Sequence, residues 1–155
     1  MRNKKVCILI ICIFVIAYIL SGHFIQIALV QGDSMASTLK NGQFVLLNKM
    51  DCQYEVGDIV AFRCKDLNGL LIKRIIAKPG DCVVLDDNGL YVNQNKITDE
   101  FTKAHEGYSI IKTLNYTLDV DEFFVLGDNR DNSIDSRYKE VGIVQKKSII
   151  GKVIN

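Results

Sequence analysis

Ser34 is the residue from which chemistry could start. It lies in Gly32-Asp33-Ser34-Met35-Ala36-Ser37-Thr38-Leu39, just beyond a long apolar N-terminal run. A serine hydroxyl is a weak nucleophile until a neighbouring base takes its proton, so the rest of the chain must supply that base. The two histidines are His23, where the apolar run ends, and His105, in a polar stretch. Nothing local recommends either, and they read as a boundary residue and a solvated loop residue. Metal-assisted hydrolysis lacks ligands: neither His belongs to a His-Glu-x-x-His pattern, and no Cys-x-x-Cys pair occurs.

A lysine remains. In Leu70-Leu71-Ile72-Lys73-Arg74-Ile75-Ile76-Ala77, strand alternation puts Leu71, Lys73, Ile75 and Ala77 on one face and Leu70, Ile72, Arg74 and Ile76 on the other. Both faces are apolar, which predicts a strand covered on both sides. Adjacent cations are costly there unless each has a special arrangement. Desolvation disfavours the ammonium and lowers its pKa by up to ~3–5 units, and a neutral amine can deprotonate a serine. Arg74 cannot lose its proton and must meet a carboxylate or reach water. The plain alternative is that both cations snorkel at a sheet end. A third polar stretch runs from Gly127 to Arg137 and holds Asp128, Arg130, Asp131, Ser133, Asp135 and Arg137. It reads either as a solvated loop or as a turn that satisfies its own buried polar groups beside the site. Calcium is discounted, because the nearest EF-hand frame lacks its glycine and has Arg among the would-be ligands.

The elements that must position these residues start with a basic tip, Arg2, Lys4 and Lys5, ahead of an apolar run from Val6 to Leu20. The 15 residues of that run span about 23 Å as a helix, short of a hydrocarbon core of ~30 Å. A secretory leader would fit the length as well. The lack of an Ala-x-Ala-like site and the reach of snorkelling lysines favour a transmembrane anchor. The basic tip then lies in the cytoplasm and the chain beyond Gly22 outside. This divides the chain into a tip and anchor over 1–23 and an extracytoplasmic body over 24–155.

Short strands are predicted at Phe24–Val30, Phe44–Leu47, Ile59–Phe62, Leu70–Ala77, Cys82–Leu85, Leu90–Asn93, Phe123–Leu126 and Ile149–Val153. Asp86-Asp87-Asn88-Gly89 signals a hairpin. Asn95 to Asp121 reads as a loop with one strand near Ser109–Lys112. The expected body is mainly β, a coiled antiparallel sheet, partly barrel-like, whose edges could accept an extended peptide.

Charge is balanced, with 19 Lys and Arg against 18 Asp and Glu, and no basic face suggests nucleic acid. The 155 residues suit one domain. Of the five cysteines, Cys7 and Cys12 lie in the apolar run and Cys52, Cys64 and Cys82 in the body; the expectation is buried and unpaired.

Four blocks in register resemble the bacterial type I signal peptidases, or leader peptidases: Gly-Asp-Ser-Met-x-x-Thr-Leu at 32–39, Gly-Asp-Ile-Val-x-Phe at 57–62, Lys-Arg-Ile-Ile-x-x-Pro-Gly-Asp at 73–81, and Gly-Asp-Asn-Arg-x-x-Ser-x-Asp-Ser-Arg at 127–137. The resemblance covers nearly the whole chain. It implies a Ser–Lys peptidase with Ser34 as nucleophile and Lys73 as general base. Ser133 would orient the amine, Asp135 and Arg137 would form a supporting ion pair, and Asp128 and Arg74 would be further polar partners. Substrate residues flanking the cut would meet Val30, Met35, Leu39 and Ile72. The resemblance also implies no cofactor, preproteins as substrates, an apolar surface near the bilayer, and a monomer in the bacterial cytoplasmic membrane. The compact form of the family is expected, since only a modest segment separates Pro79 from Gly127. Two departures stand out. Ser37 occupies a position where the family usually has Pro, and Gly32 one where some members have a Ser that helps bind the oxyanion. Two other readings fit less well, the first because this chain keeps both Ser34 and Lys73 and the second because an apolar run stands at the N-terminus. One is a non-catalytic relative that assembles surface proteins or pilins. The other, a self-cleaving Ser–Lys repressor, would call for an N-terminal DNA-binding domain.

Overall fold

The computed structural model describes residues 6, 7, 9–13, 24–98, 105 and 107–154. Residues 6, 7 and 9–13 are helical and exposed. Among the described residues no helix is long and apolar enough to cross a membrane. Much of the expected anchor, and His23, lies outside them.

The described residues form eleven strands: β1 (Ile25–Leu29), β2 (Phe44–Asn48), β3 (Ile59–Cys64), β4 (Gly69–Ala77), β5 (Cys82–Asp86), β6 (Gly89–Val92), β7 (Asn95–Thr98), β8 (Leu114–Thr117), β9 (Glu122–Leu126), β10 (Val144–Gln145) and β11 (Ile149–Ile154). They build two open sheets, ordered β1-β2-β11-β3-β4-β9-β10 and β7-β6-β5-β8, in which every pairing between strands is antiparallel. The body is therefore mainly β as expected, but the sheets do not close into a barrel.

Three apolar clusters hold the sheets. Ala28, Val30, Met35, Leu39, Val45 and Leu47 lie in the first, under the β1–β2 corner. The second includes Val60, Phe62, Ile75 and Val125. The third joins the two sheets through Ala77, Val83, Leu85, Leu90, Phe124 and Leu126. Burying each such side chain contributes roughly 1.5–3 kcal/mol, so the central strands β3, β4 and β9 are the most firmly held.

Several boundaries depart from the sequence expectation. The 95–121 segment contains β7 and β8, while the strand expected near Ser109–Lys112 reduces to an isolated bridge between Ile110 and Tyr138. β7 and β8 are the edges of the smaller sheet, paired on one side only and four residues long each, too short for a sequence pattern to mark. β10 is two residues long and has no sequence signature. The cover over β4 is also uneven: Lys73, Ile75 and Ala77 are buried, but Ile72, Arg74 and Ile76 are half-buried and Leu70 is exposed. The five cysteines are free, and only Cys64 is buried; Cys82 is half-buried, and Cys7, Cys12 and Cys52 are exposed. Cys52 follows β2 in a surface loop, which the preference of thiols for interiors did not anticipate. His105 is half-buried against the Tyr138 ring, with centroids 5.8 Å apart, and is not a solvated loop residue.

β11 is the last strand in sequence yet pairs with both β2 and β3, with a register irregularity between Ile149 and Gly151. A Cβ on Gly151 would come within 2.7 Å of the Asn48 carbonyl oxygen, a backbone atom with little room to yield. Gly151→Ala is expected to destabilise the body by about 1–3 kcal/mol through overpacking, read as a lower urea midpoint with an unchanged m-value.

Candidate active site

The site is assembled by three segments far apart in sequence. The first is the turn after β1. Met35 and Leu39, four residues apart on one face of a short helical turn, are each 1% exposed and packed into the first apolar cluster. The Met35 carbonyl accepts the N–H groups of Thr38 and Leu39 at 2.8 and 2.7 Å. These two anchors hold the turn down and leave Ser34 half-buried.

The second segment is β4. Lys73 is 3% exposed and pairs across to Val60 of β3, which is fully buried. Its Nζ is hydrogen-bonded to Ser34 Oγ at 2.6 Å. As an ammonium it donates to the hydroxyl oxygen; as an amine it can accept the hydroxyl proton along the same line. Burial pushes the Lys73 pKa down from 10.5 to about 8, against the attraction of Asp135 and Asp128 and helped by the charge of Arg137.

The third segment leaves β9. Arg74 pairs with Leu126, so the chain passes alongside Lys73 as it enters Gly127-Asp128-Asn129. Asp135 and Arg137 are 0% and 1% exposed and form a buried pair, Arg137 Nε to Asp135 Oδ1 at 2.8 Å. Asp135 Oδ2 also accepts the Gly127 N–H at 3.0 Å, and Arg137 donates to the Arg130 carbonyl at 2.9 Å. An unpaired buried charge is costly, so each partner binds the other and the loop together. Asp128 accepts from Arg74 Nε at 2.7 Å and from Thr38 Oγ1 at 2.5 Å. Burial alone would raise the Asp128 carboxyl, but the hydrogen bonds from Arg74 and Thr38 hold it below the usual range. Asn129 donates from its backbone N–H to the Ser34 carbonyl and from its side-chain amide to the Asp33 carbonyl, each at 3.0 Å.

The residues expected from the sequence are thus mostly brought together, with two corrections. Ser133 is 1% exposed, yet its hydroxyl has no hydrogen-bond partner among the described residues and does not bond the Lys73 amine. The hydroxyl sits in the space over Gly127, where a Cβ would come within 2.2 Å of Ser133 Oγ and 2.6 Å of the Ser34 carbonyl oxygen. Leu39 does not line the site; it is consumed in seating the turn. Val30, Met35 and Ile72 do border a groove of about 360 Å³ beside Ser34 and Lys73, formed by Leu29 to Gln31, the nucleophile turn and Gly69 to Lys73. Thr38, Gly127 and Asn129 stood inside the quoted motifs without a role. Their parts depend on contacts across some 90 positions, which spacing does not reveal.

The groove has two open backbone edges. β1 pairs only with β2, and β9 pairs β4 only at Arg74, Ile75 and Ala77, so Gly69 to Lys73 are paired only with β3. Among the described residues no cluster of side chains could hold a metal ion.

The chain is similar to known proteins over most of its length. Residues 3–155 match the model of the family described as signal peptidase, peptidase S26. The chain is 33% identical to signal peptidase I P of Bacillus subtilis subsp. natto, over 96% of this chain and 83% of that relative. It is 32% identical to signal peptidase I S of Bacillus subtilis strain 168, over 88% of this chain and 79% of that relative. The crystal structure of a signal peptidase I from Enterococcus faecalis V583 is 30% identical and covers 66% of this chain and 97% of that one, with a TM-score of 0.46.

The depressed Lys73 pKa has a consequence for stability. The folded state disfavours the ammonium that the unfolded chain accepts, so this residue opposes folding at pH values below about 8. That opposition fades as pH rises from about 8 towards 10.5, where the amine becomes neutral in both states. Lys73→Met is therefore expected to stabilise the body at pH 7 by on the order of 3 kcal/mol, with the gain shrinking above pH 8. Urea unfolding across that range checks both sign and window.

Proposed function

The chain belongs to the signal peptidase family, peptidase S26, and is an enzyme of the signal peptidase I type; we propose that it cuts signal peptides from exported preproteins with a Ser34–Lys73 dyad. The single observation that carries this reading is the 2.6 Å contact between Ser34 Oγ and a lysine amine that burial has brought to about 8. The preprotein lies extended in the groove and uses the open backbone edges of β1 and the first half of β4 as an added strand. Val30 and Ile72 meet the small side chains before the scissile bond. Lys73 takes the Ser34 proton as the oxygen attacks the substrate carbonyl. It gives that proton to the leaving amine as the C–N bond breaks. The mature chain leaves with that new N-terminus. The Lys73 amine then removes a proton from water as the water oxygen attacks the ester carbonyl; the ester C–O bond breaks, Lys73 returns the proton to Ser34 Oγ, and the signal peptide leaves with a new C-terminal carboxylate. No cofactor takes part.

Asp135, Arg137, Asp128 and Arg74 act by holding the loop after β9 against the nucleophile turn. Ser133 works as a packing partner of Gly127 in the free enzyme. With both dyad positions filled, nothing on the site favours the non-catalytic alternative.

The anchor over residues 1–23 and the outward-facing body over 24–155 belong to the same proposal. Ile25, Ile27 and Leu29 of β1 and Phe44 and Leu46 of β2 are all exposed. Pairing of Ile27 with Leu46 and of Leu29 with Phe44 puts them side by side on one face. A contiguous exposed apolar face suits contact with a bilayer rather than water. It follows the proposed anchor directly, which supports a body working at the outer surface of the cytoplasmic membrane.

Full-length protein in detergent, given a preprotein, is expected to release the mature chain. Ser34→Ala and Lys73→Ala should each lower kcat by at least about 10⁴-fold, as for a nucleophile and base acting as one unit. Undiminished processing by both variants would remove the dyad. A second expectation concerns pH: kcat/KM should rise with pH through an apparent pKa near 8, because the neutral amine is the active form and burial sets that value. A profile flat between pH 6 and 10, measured with a short peptide substrate, would contradict it.

A further inference from the structure

Ser34 carries a second chemical group besides its hydroxyl. Its N–H donates to no acceptor among the described residues, and a backbone N–H beside a nucleophile can stabilise the oxyanion that forms when the serine attacks. Gly32 offers no hydroxyl for that task, and its own N–H is committed to Asn41 Oδ1 at 3.1 Å. The direction of the Ser34 N–H therefore matters. A peptide unit is planar, so the Asp33 carbonyl and the Ser34 N–H are the two ends of one rigid group. Whatever holds the carbonyl aims the N–H.

Two donors hold it. Ala36 N–H reaches the Asp33 oxygen at 3.1 Å within the turn itself, and Asn129 Nδ2 reaches it at 3.0 Å from the loop after β9. One bond alone leaves the peptide free to pivot; two from separate elements define its plane. We propose that Asn129 is a positioning residue that aims the Ser34 N–H at the developing oxyanion, an inference that rests on the dyad reading above. The behaviour of the Asn129 side chain supports it independently. Asn129 is the N-cap of the short 3₁₀ turn Arg130–Asn132, where an Asn side chain ordinarily bonds the turn's own N–H groups. It makes no such bond; its amide reaches across to the nucleophile turn instead. The backbone of the same residue is fixed by its N–H bond to the Ser34 carbonyl, so the side chain works from a rigid base.

The test uses the full-length protein in detergent with a preprotein substrate, comparing Asn129→Ala and Asn129→Asp with wild type. Both variants keep the backbone bond to Ser34, so substrate binding should hold and KM should stay within about twofold. The loss should fall on kcat, roughly 10–100-fold, as for misorientation of a reacting group. Asn129→Asp should lose more than Asn129→Ala, because a carboxylate would face a carbonyl oxygen at the same distance. A peptide aldehyde that adds Ser34 as a tetrahedral hemiacetal should weaken in parallel with kcat/KM. A product peptide ending at the cleavage site should bind as to wild type, and the pH limb near 8 should not move. The inference is overturned if kcat stays within about twofold in both variants, if the loss lies in KM, or if aldehyde and product peptide weaken equally. Asn129→Asp preserves side-chain shape and keeps the test valid should Asn129→Ala fold poorly. Ser34→Ala separates the two readings. If it remains active, the dyad itself is wrong; if it is dead while the Asn129 variants are normal, only the role of Asn129 falls.

Discussion

A lysine amine buried in a β-strand, 2.6 Å from a serine hydroxyl, is the constraint around which this molecule is built. Leaving the amine in water would keep it charged and useless as a base; burying it opposes folding. The chain accepts that opposition because β4 is a central strand, flanked by β3 from Gly69 to Arg74 and by β9 from Arg74 to Ala77. Neighbouring strands contribute Val60, Val125 and Leu126, and β4 itself contributes Ile75, all essentially inaccessible to water. A lysine at the rim of the same sheet would keep its solvent and its charge.

Burial alone would not put the hydroxyl on the amine. That registration comes from polar groups with nowhere else to go. The Asp135–Arg137 pair grips Gly127 and Arg130, the Arg74–Asp128 pair reaches Thr38, and Asn129 bridges to Asp33 and Ser34. The nucleophile turn is thereby clamped from the side while Met35 and Leu39 pull it from below. Buried ion pairs are weak contributors to net stability, but removing one partner is strongly unfavourable, which makes them good at specifying a single arrangement. Gly127 adds a steric condition: its missing side chain is what lets Ser133 and the Ser34 backbone come together. The clamp also bears on Ser37, which lacks the rigidity that proline would give. The neighbouring hydroxyl of Thr38 is tied to Asp128, so the turn is fixed from outside rather than by its own ring.

The parts of this that were legible in the sequence are those set by local pattern. Alternation in Leu70–Ala77 gave the strand and put Lys73 and Arg74 on opposite faces, without saying which face is the more deeply covered. Turn residues marked the β5–β6 hairpin, while the charges of 127–137 left a solvated loop and a self-satisfying turn equally open. What escaped was decided at long range. β7 and β8 exist because smaller-sheet neighbours offer backbone groups to pair with: Asn95–Thr98 has no alternation of residue type, and Leu114–Thr117 alternates over only four residues. Leu39 was expected to meet substrate together with Val30, Met35 and Ile72, yet one helical turn points it into the core. The family resemblance implied that Ser133 bonds the amine, but its extended backbone, φ −141° and ψ 125°, sets its hydroxyl over Gly127. The apolar face on β1 and β2 was expected only through family resemblance, since alternation alone does not say which face of an edge hairpin remains uncovered.

The central claim is that burial, and not a neighbouring base, turns Lys73 into a proton acceptor. Titrating the protein with isotopically labelled lysine side chains, and assigning the Lys73 signal by its loss in Lys73→Met, measures this directly by NMR. The account predicts one lysine that titrates near 8 and whose shift depends on Ser34. A Lys73 signal that titrates with the solvent-exposed lysines near 10.4, unmoved by Ser34→Ala, would contradict it.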